Sequence, residues 1–253
     1  MIELLRRVAG EHAAVVTDEQ TVTYGELVAA AERVAQNLRR HGIQRAAIVD
    51  PDAATVLALL GGMALAGVEA CQYPPVDEPA QIALLARRFD HDVLITPRTD
   101  LGSIGTVIEP ADLVDTPADP WTELTPDARP LLVLTTGTTG VPRGVRHDWS
   151  RLLVGTNQAR PATGQRWLLA YGLHQFAGLQ VLVHVTSVGA TLVAPTPRRP
   201  REGLAAMRRH RVDHASATPT YWRFLLAEMR SDGGAVPQLE QLTLGGEAIP
   251  GPL

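Results

Sequence analysis

The stretch LLVLTTGTTGVPRGVRH, Leu131 to His147, decides how the rest of the chain is read. Four apolar residues, Leu131 to Leu134, run directly into ten residues dominated by threonine and glycine, which predicts a buried strand ending in a loop. The loop has the make-up of a phosphate cradle. Gly137, Gly140 and Gly144 let the backbone approach a ligand closely and adopt positive φ, so that successive N–H groups can face one anion. Thr135, Thr136, Thr138 and Thr139 add hydroxyl donors, and Arg143 adds a planar, permanently charged fork suited to two phosphate oxygens. Nothing acidic follows until Asp148. A surface turn can have the same composition, and neither the P-loop spacing nor a G-x-G-x-x-G fingerprint is present.

The ten residues TTGTTGVPRG resemble the [ST]-[ST]-G-[ST]-[ST]-G-x-P-K-G phosphate loop of the adenylate-forming superfamily: acyl-CoA synthetases, aryl-acid ligases, luciferases and peptide-synthetase adenylation domains. Every position agrees except Arg143, where the family usually has lysine. The chain contains no lysine at all, its 23 basic side chains being arginine, which looks like codon bias in a GC-rich genome.

Composition narrows the alternatives. A chain of 253 residues, 45% hydrophobic and with a formal net charge of -4, is expected to be globular with a substantial core. Twenty-seven acidic against 23 basic side chains leave none of the excess that nucleic-acid binding requires. No apolar run approaches the ~20 residues that span a bilayer, and MIELLRRVAG lacks a signal-peptide core, so a cytoplasmic protein without a membrane span is expected. Cys71, the lone cysteine, is expected to be a buried thiol. No G-x-S-x-G elbow occurs and no metal ligands are expected from the eight histidines.

Strand and helix patterns alternate from Thr23 to Leu244. Thr23-Tyr24-Gly25-Glu26 reads as a capping box, followed by Leu27, Ala30, Ala31, Val34, Ala35 and Leu38 at helical spacing until His41-Gly42. Strands are expected at 46–49, 68–73, 93–96, 106–108, 166–171, 190–194, 213–217 and 239–244. Helices are expected at 53–66, 78–88, 148–156 (capped by Asp148), from the 172–176 turn to about 187, at 203–210, and from Thr218-Pro219 onward. Residues 100–129 read as a polar connection holding one short strand. This alternation predicts an α/β fold of mainly parallel sheets flanked by helices, with no linker between independent domains.

Further segments resemble the same superfamily in its order: TVTYGELVAAAERVAQNLRRHGI, ALAGVEACQYPPVD, ATPTYWRFL and LTLGGEAIP, so that Leu4 to Leu253 is covered. The resemblance implies that residues 1–253 are the N-terminal, larger adenylation domain, incomplete, with the phosphate loop at 131–147. The family's later adenine segment, ribose-binding aspartate and C-terminal domain with its catalytic lysine are absent. It also implies roles. Thr135, Thr136, Gly137, Thr138, Thr139, Gly140, Arg143 and Gly144 would hold the phosphates, and Gly245, Gly246 and Glu247 would pass along the adenine. His174, Gln175, Phe176, Thr218 and Gly246 would line the acyl pocket, with Arg143 and His174 in the catalytic set. His174 can equally be a helix-end histidine satisfied by backbone. Members that activate α-amino acids carry an aspartate in the 174–176 turn, whereas this turn holds Gln175 and no carboxylate, which favours an aryl or alkyl acid.

The implied reaction is attack of a substrate carboxylate on the α-phosphorus of ATP, with Mg²⁺, to give an acyl-adenylate and pyrophosphate. A thiol of CoA, or of phosphopantetheine on an acyl or aryl carrier protein, would then accept the acyl group. Carboxylate is already a competent nucleophile, so positioning and charge neutralisation suffice and no general base is needed. The alternative is a truncated, non-catalytic module of the same fold that binds nucleotide or a partner.

Overall fold

The computed structural model describes residues 2–49, 52–117, 131–135, 142–195 and 199–248. Among these the chain runs α1 (Ile2–Leu5), β1 (Ala13–Val16), β2 (Thr21–Thr23), α2 (Tyr24–Arg40), β3 (Arg45–Ile48), α3 (Ala53–Ala66), β4 (Glu69–Gln72), α4 (Pro79–Phe89), β5 (Val93–Ile95), β6 (Thr106–Ile108) and α5 (Pro110–Val114). It continues through β7 (Leu131–Thr135), β8 (Arg143–His147), α6 (Trp149–Leu152), β9 (Arg166–Leu169), α7 (Phe176–Val188), β10 (Thr191–Val193), α8 (Pro200–Arg209), β11 (His214–Ala217), α9 (Pro219–Asp232) and β12 (Gln241–Leu244). The expected α/β architecture is observed, as two mostly parallel sheets with helices flanking them.

Contacts gather these elements into two units, Met1–Arg6 with Gly25–Gly155, and Arg7–Tyr24 with Thr156–Leu253. The divisions fall just past α1, at the first residue of α2, and inside the 3-10 turn Val154–Gln158. None coincides with a linker, which is why the sequence shows no compositional break there.

The first unit carries a sheet in the order β6-β5-β3-β4-β7-β8, parallel throughout except for the β7–β8 hairpin. Its central helix, α3, keeps the bounds the sequence predicts. The Asp52 carboxylate accepts from the N–H groups of Ala54 (2.9 Å) and Thr55 (3.1 Å), and Gly67 closes the helix at φ 71°. Gly61 and Gly62 each cost the helix about 1 kcal/mol of propensity relative to alanine, but a Cβ on Gly62 would lie 2.5 Å from Val34 and 2.6 Å from the Ala31 carbonyl. The glycines are the condition for α2 to approach. Cys71 lies in the core with Val49, Tyr73, Ile82, Leu94 and Leu132, and burial pushes its thiol pKa up.

The helix expected at 148–156 covers only Trp149–Leu152 before the 3-10 turn Val154–Gln158, and two further expectations in this unit change. The 100–129 connection contains the predicted β6 but also α5, which begins on Pro110, buries Leu113 and has its last carbonyls bound by side chains of α2: Asn37 Nδ2 donates to Leu113 O at 3.1 Å, and Arg33 donates to Val114 O. A five-residue helix without a repeating apolar face leaves no periodic signal. Secondly, the stretch 143–147 is an antiparallel strand with Thr135↔Arg143, Val133↔Val145 and Leu131↔His147 as partners, where the sequence predicts loop.

The second unit carries the order β12-β11-β9-β10-β1-β2, again parallel except for one hairpin, β1–β2. β1 and β2 lie N-terminal to the first element the sequence analysis identified. β1 runs parallel to β10 with Val15↔Leu192 as partners, a pairing about 180 residues apart that no local pattern announces. Leu168, Val193, Met207, Ala215, Tyr221 and Trp222 form the core.

Candidate active site

Each unit places candidate residues where its parallel strands end at their carboxyl termini, the usual location of ligand sites in α/β sheets. In the first unit, β7 runs out at Thr135, and the chain returns at Arg143 as the first residue of β8. The Thr135 hydroxyl donates to the Arg143 carbonyl at 3.3 Å, so the two ends of the Thr/Gly segment are held together. Thr136, Gly137, Thr138, Thr139 and Gly140 lie outside the described residues. Arg143 is exposed.

Gly144 does not adopt the positive φ expected of it. It pairs with Leu134 inside the hairpin. A Cβ there would meet the side-chain ends of Leu132 and Phe89 at 2.8 Å, so a larger residue would have to displace them. On the same face Arg146 reaches across β7 to Glu69 of β4, with Nε and Nη2 at 2.9 and 3.3 Å from its carboxylate oxygens. Glu69 is largely buried, so the pair fixes the edge strand from which Arg143 projects. Sequence reasoning passed over Arg146, whose partner lies 77 residues away.

In the second unit, three segments meet beyond β9, β11 and β12. The first is the turn 171–176. Gly172 and Gln175 bond reciprocally: Gly172 N–H donates to Gln175 Oε1 (3.0 Å) and Gln175 N–H to Gly172 O (2.9 Å). The Gln175 carboxamide oxygen thus closes the turn. The His174 ring lies over Gly172, occupying the place of any Cβ there, and Phe176 begins α7 with 37% of its surface exposed.

The second segment is the start of α9. Thr218 is the N-cap, its hydroxyl accepting from Tyr221 N–H at 3.1 Å with Pro219 in the first turn, as the sequence predicts. The third is Gly245-Gly246-Glu247. Gly246 has φ 80°, a conformation that favours glycine. The Glu247 carboxylate accepts from Thr220 Oγ1 (2.6 Å) and Thr220 N–H (3.3 Å). The Thr220 hydroxyl holds its pKa below the usual range, and the carboxylate charge suits a helix N-terminus. Tyr171, not singled out in the sequence, joins the first segment to the third: its hydroxyl donates to Gly245 O at 3.2 Å, and burial pushes its pKa up.

His210 and His214 stand four residues apart, a helical metal-pair spacing that the expectation of no histidine ligands overlooked. They do not share a helix face. His210 caps α8 and contacts Asp18 at 2.9 Å, while His214 lies in β11 against Asp213 at 2.5 Å. Among the described residues no group of three or more His, Cys, Asp or Glu side chains could hold a metal ion, and no helix is long and apolar enough to cross a membrane.

Mostly parallel α/β sheets with candidate residues at the carboxyl ends of their strands place this chain among the ligand-site architectures of α/β proteins. The chain belongs to the AMP-binding enzyme family, whose sequence profile matches residues 5–253. It is 26% identical over 258 residues to the 2-succinylbenzoate–CoA ligase of Bacillus subtilis (strain 168), covering 96% of this chain and 52% of that protein. It is 32% identical over 257 residues to a probable non-canonical nonribosomal peptide synthetase, CymA, of Salinispora arenicola, covering 97% of this chain and 3% of the synthetase. The chain therefore spans about half the length of the Bacillus ligase. The solved structure of the Bacillus subtilis O-succinylbenzoate coenzyme A synthetase in complex with ATP and magnesium ion superposes with a TM-score of 0.81 at 24% identity, covering 98% of this chain and 55% of that one.

Proposed function

We propose that the protein uses ATP to activate a carboxylic acid as an acyl-adenylate, and that a thiol of CoA or of a carrier-protein phosphopantetheine then takes the acyl group. The observation that carries this reading is the family match together with the hairpin that holds Thr135 and Arg143 at the carboxyl end of a parallel strand. The ATP and magnesium complex of the Bacillus synthetase supplies the precedent for the nucleotide, and the Bacillus CoA ligase that for the thiol acceptor.

In the proposed reaction a substrate carboxylate oxygen bonds to the α-phosphorus while the bond to the β-phosphate bridge breaks, and pyrophosphate leaves. Arg143 and the Thr/Gly segment neutralise and orient the phosphates, which is the whole demand on the protein when the nucleophile is already ionised. A magnesium ion would be supplied with the nucleotide and would add charge neutralisation to that of Arg143. The family resemblance assigns Gly245-Gly246 to the nucleotide and His174 and Phe176 to the acyl group. Gln175, whose oxygen is committed to the turn, offers no anion to a substrate ammonium. An uncompensated buried charge costs several kcal/mol, about 3–5 kcal/mol, so the substrate is an aryl or alkyl acid.

The test is ATP–pyrophosphate exchange by the complete protein against a panel of aryl, alkyl and amino acids. Exchange with aryl or alkyl acids is expected. Fastest exchange with a free amino acid would overturn the substrate class. Nucleotide binding without exchange for any acid would favour the non-catalytic module.

A further inference from the structure

We propose that Tyr171 and Thr220 are positioning residues for the Gly245-Gly246 turn, setting the direction of its peptide planes and through them the affinity for nucleotide. The inference rests on the proposed function. Two adjacent glycines carry no Cβ to restrict their backbone, so the peptide between them can turn over at little cost unless something holds it. In this structure four hydrogen bonds hold the turn. Gly245 N–H donates to Ala217 O at 3.2 Å, extending the β11–β12 ladder by one rung. Gly245 O accepts from the Tyr171 hydroxyl at 3.2 Å, from the far side of β11. Two residues later Glu247 is fastened to Thr220 by the hydroxyl and the amide of the same residue.

The ladder bond alone fixes the entry to the turn but not the orientation of the next peptide. Because a peptide is planar and trans, holding the Gly245 carbonyl toward Tyr171 directs the Gly246 N–H the opposite way. The Thr220–Glu247 bonds then fix the exit, beyond the positive φ of Gly246. The Tyr171 ring is 4% exposed, and ring atom Cε1 lies 3.6 Å from the place of a Cβ on Gly246. The ring's packing therefore survives loss of the hydroxyl, which also meets the Ser216 side chain, and the urea midpoint separates that structural contribution from the directional one.

Tyr171→Phe removes only that hydroxyl, and Thr220→Val removes the 2.6 Å bond at nearly constant shape. Both are compared with the parent in the complete protein by ATP–pyrophosphate exchange and by calorimetric titration with AMP, with urea midpoints as a control for folding. A turn that meets nucleotide equally in ground and transition states changes KM rather than kcat. The expected result is a rise of about three- to tenfold in KM for ATP and in Kd for AMP for each variant, the size of one neutral hydrogen bond, with kcat little changed. Thr220→Ser is expected to restore parental values. Unchanged KM and Kd, or a loss confined to the urea midpoint, would overturn the assignment. If the parent exchanges with no acid at all, the proposed activity fails and the AMP titration alone decides: weaker binding by Tyr171→Phe upholds the positioning role, and equal or absent binding overturns it.

Discussion

Acid should weaken the first unit through one histidine, His91. Its ring is 2% exposed, its Nδ1 lies 2.7 Å from the Tyr73 hydroxyl, and its Nε2 has no partner among the described residues. Burial lowers its pKa to about 4. Glu69, the next largest influence, and Asp90 raise it, and Arg45 and Arg146 lower it, with burial prevailing. An unfolded chain protonates histidine near 6.5. Below that pH the unfolded state binds the proton that the folded state refuses, so stability falls as pH drops from about 6.5 to about 4. With those two values the loss amounts to about 2 kcal/mol at pH 5 and about 3 kcal/mol at pH 4, against less than about 0.1 kcal/mol at pH 7.5. Other groups titrate over the same range, so the quantity to measure is a difference. Urea unfolding of the parent and of His91→Gln, which keeps an acceptor for Tyr73 but takes up no proton, should be compared at pH 7.5, 6 and 5. The variant should lose about 2 kcal/mol less than the parent between pH 7.5 and 5. Equal losses would refute the reasoning and mean that the His91 cavity hydrates or opens to accept the charge.

Three further outcomes are expected. Arg143→Lys should change kcat/KM for ATP modestly, because the charge is kept; Arg143→Ala should lower it roughly ten- to a hundredfold, the value of a charged hydrogen bond of about 1.5–3 kcal/mol, and an alanine variant as active as the parent would place Arg143 in solvent. The 253-residue chain expressed alone should bind an apolar dye and self-associate, because Trp222, Leu225, Met229, Val236 and Leu242 line a groove of about 500 Å³ beside the edge strand β12; a monodisperse monomer without dye uptake in size-exclusion chromatography would count against this. Gly246→Ala should lower stability by about 1 kcal/mol or more, since φ 80° strains any L side chain although the space beside it is adequate; an unchanged urea midpoint would show that the turn relaxes.

The sequence by itself determined what local chemistry determines. The α3 helix was legible from end to end because Gly67 stops it, and the start of α9 because Thr218-Pro219 is a capping pair. The alternation of strand and helix fixed the parallel α/β class, and the Thr/Gly run marked where a strand should open onto phosphate. Tertiary structure decided what depends on partners far away in the chain. β8 reads as loop because RGVRH has no alternating apolar face, and it is a strand because β7 supplies its ladder and Glu69 its ion pair. Gly144, expected at positive φ, sits instead in the hairpin ladder with the side-chain ends of Leu132 and Phe89 close beneath it. In the sequence Gln175 stands out for the charge it lacks, whereas in the structure its oxygen is taken by the turn it sits in. Tyr171 showed only as the end of a strand, because the carbonyl it holds belongs to Gly245, 74 residues on. Propensity, capping and motif spacing are properties of neighbours in sequence. A hydrogen bond between strand ends exists only once the sheet has set them side by side.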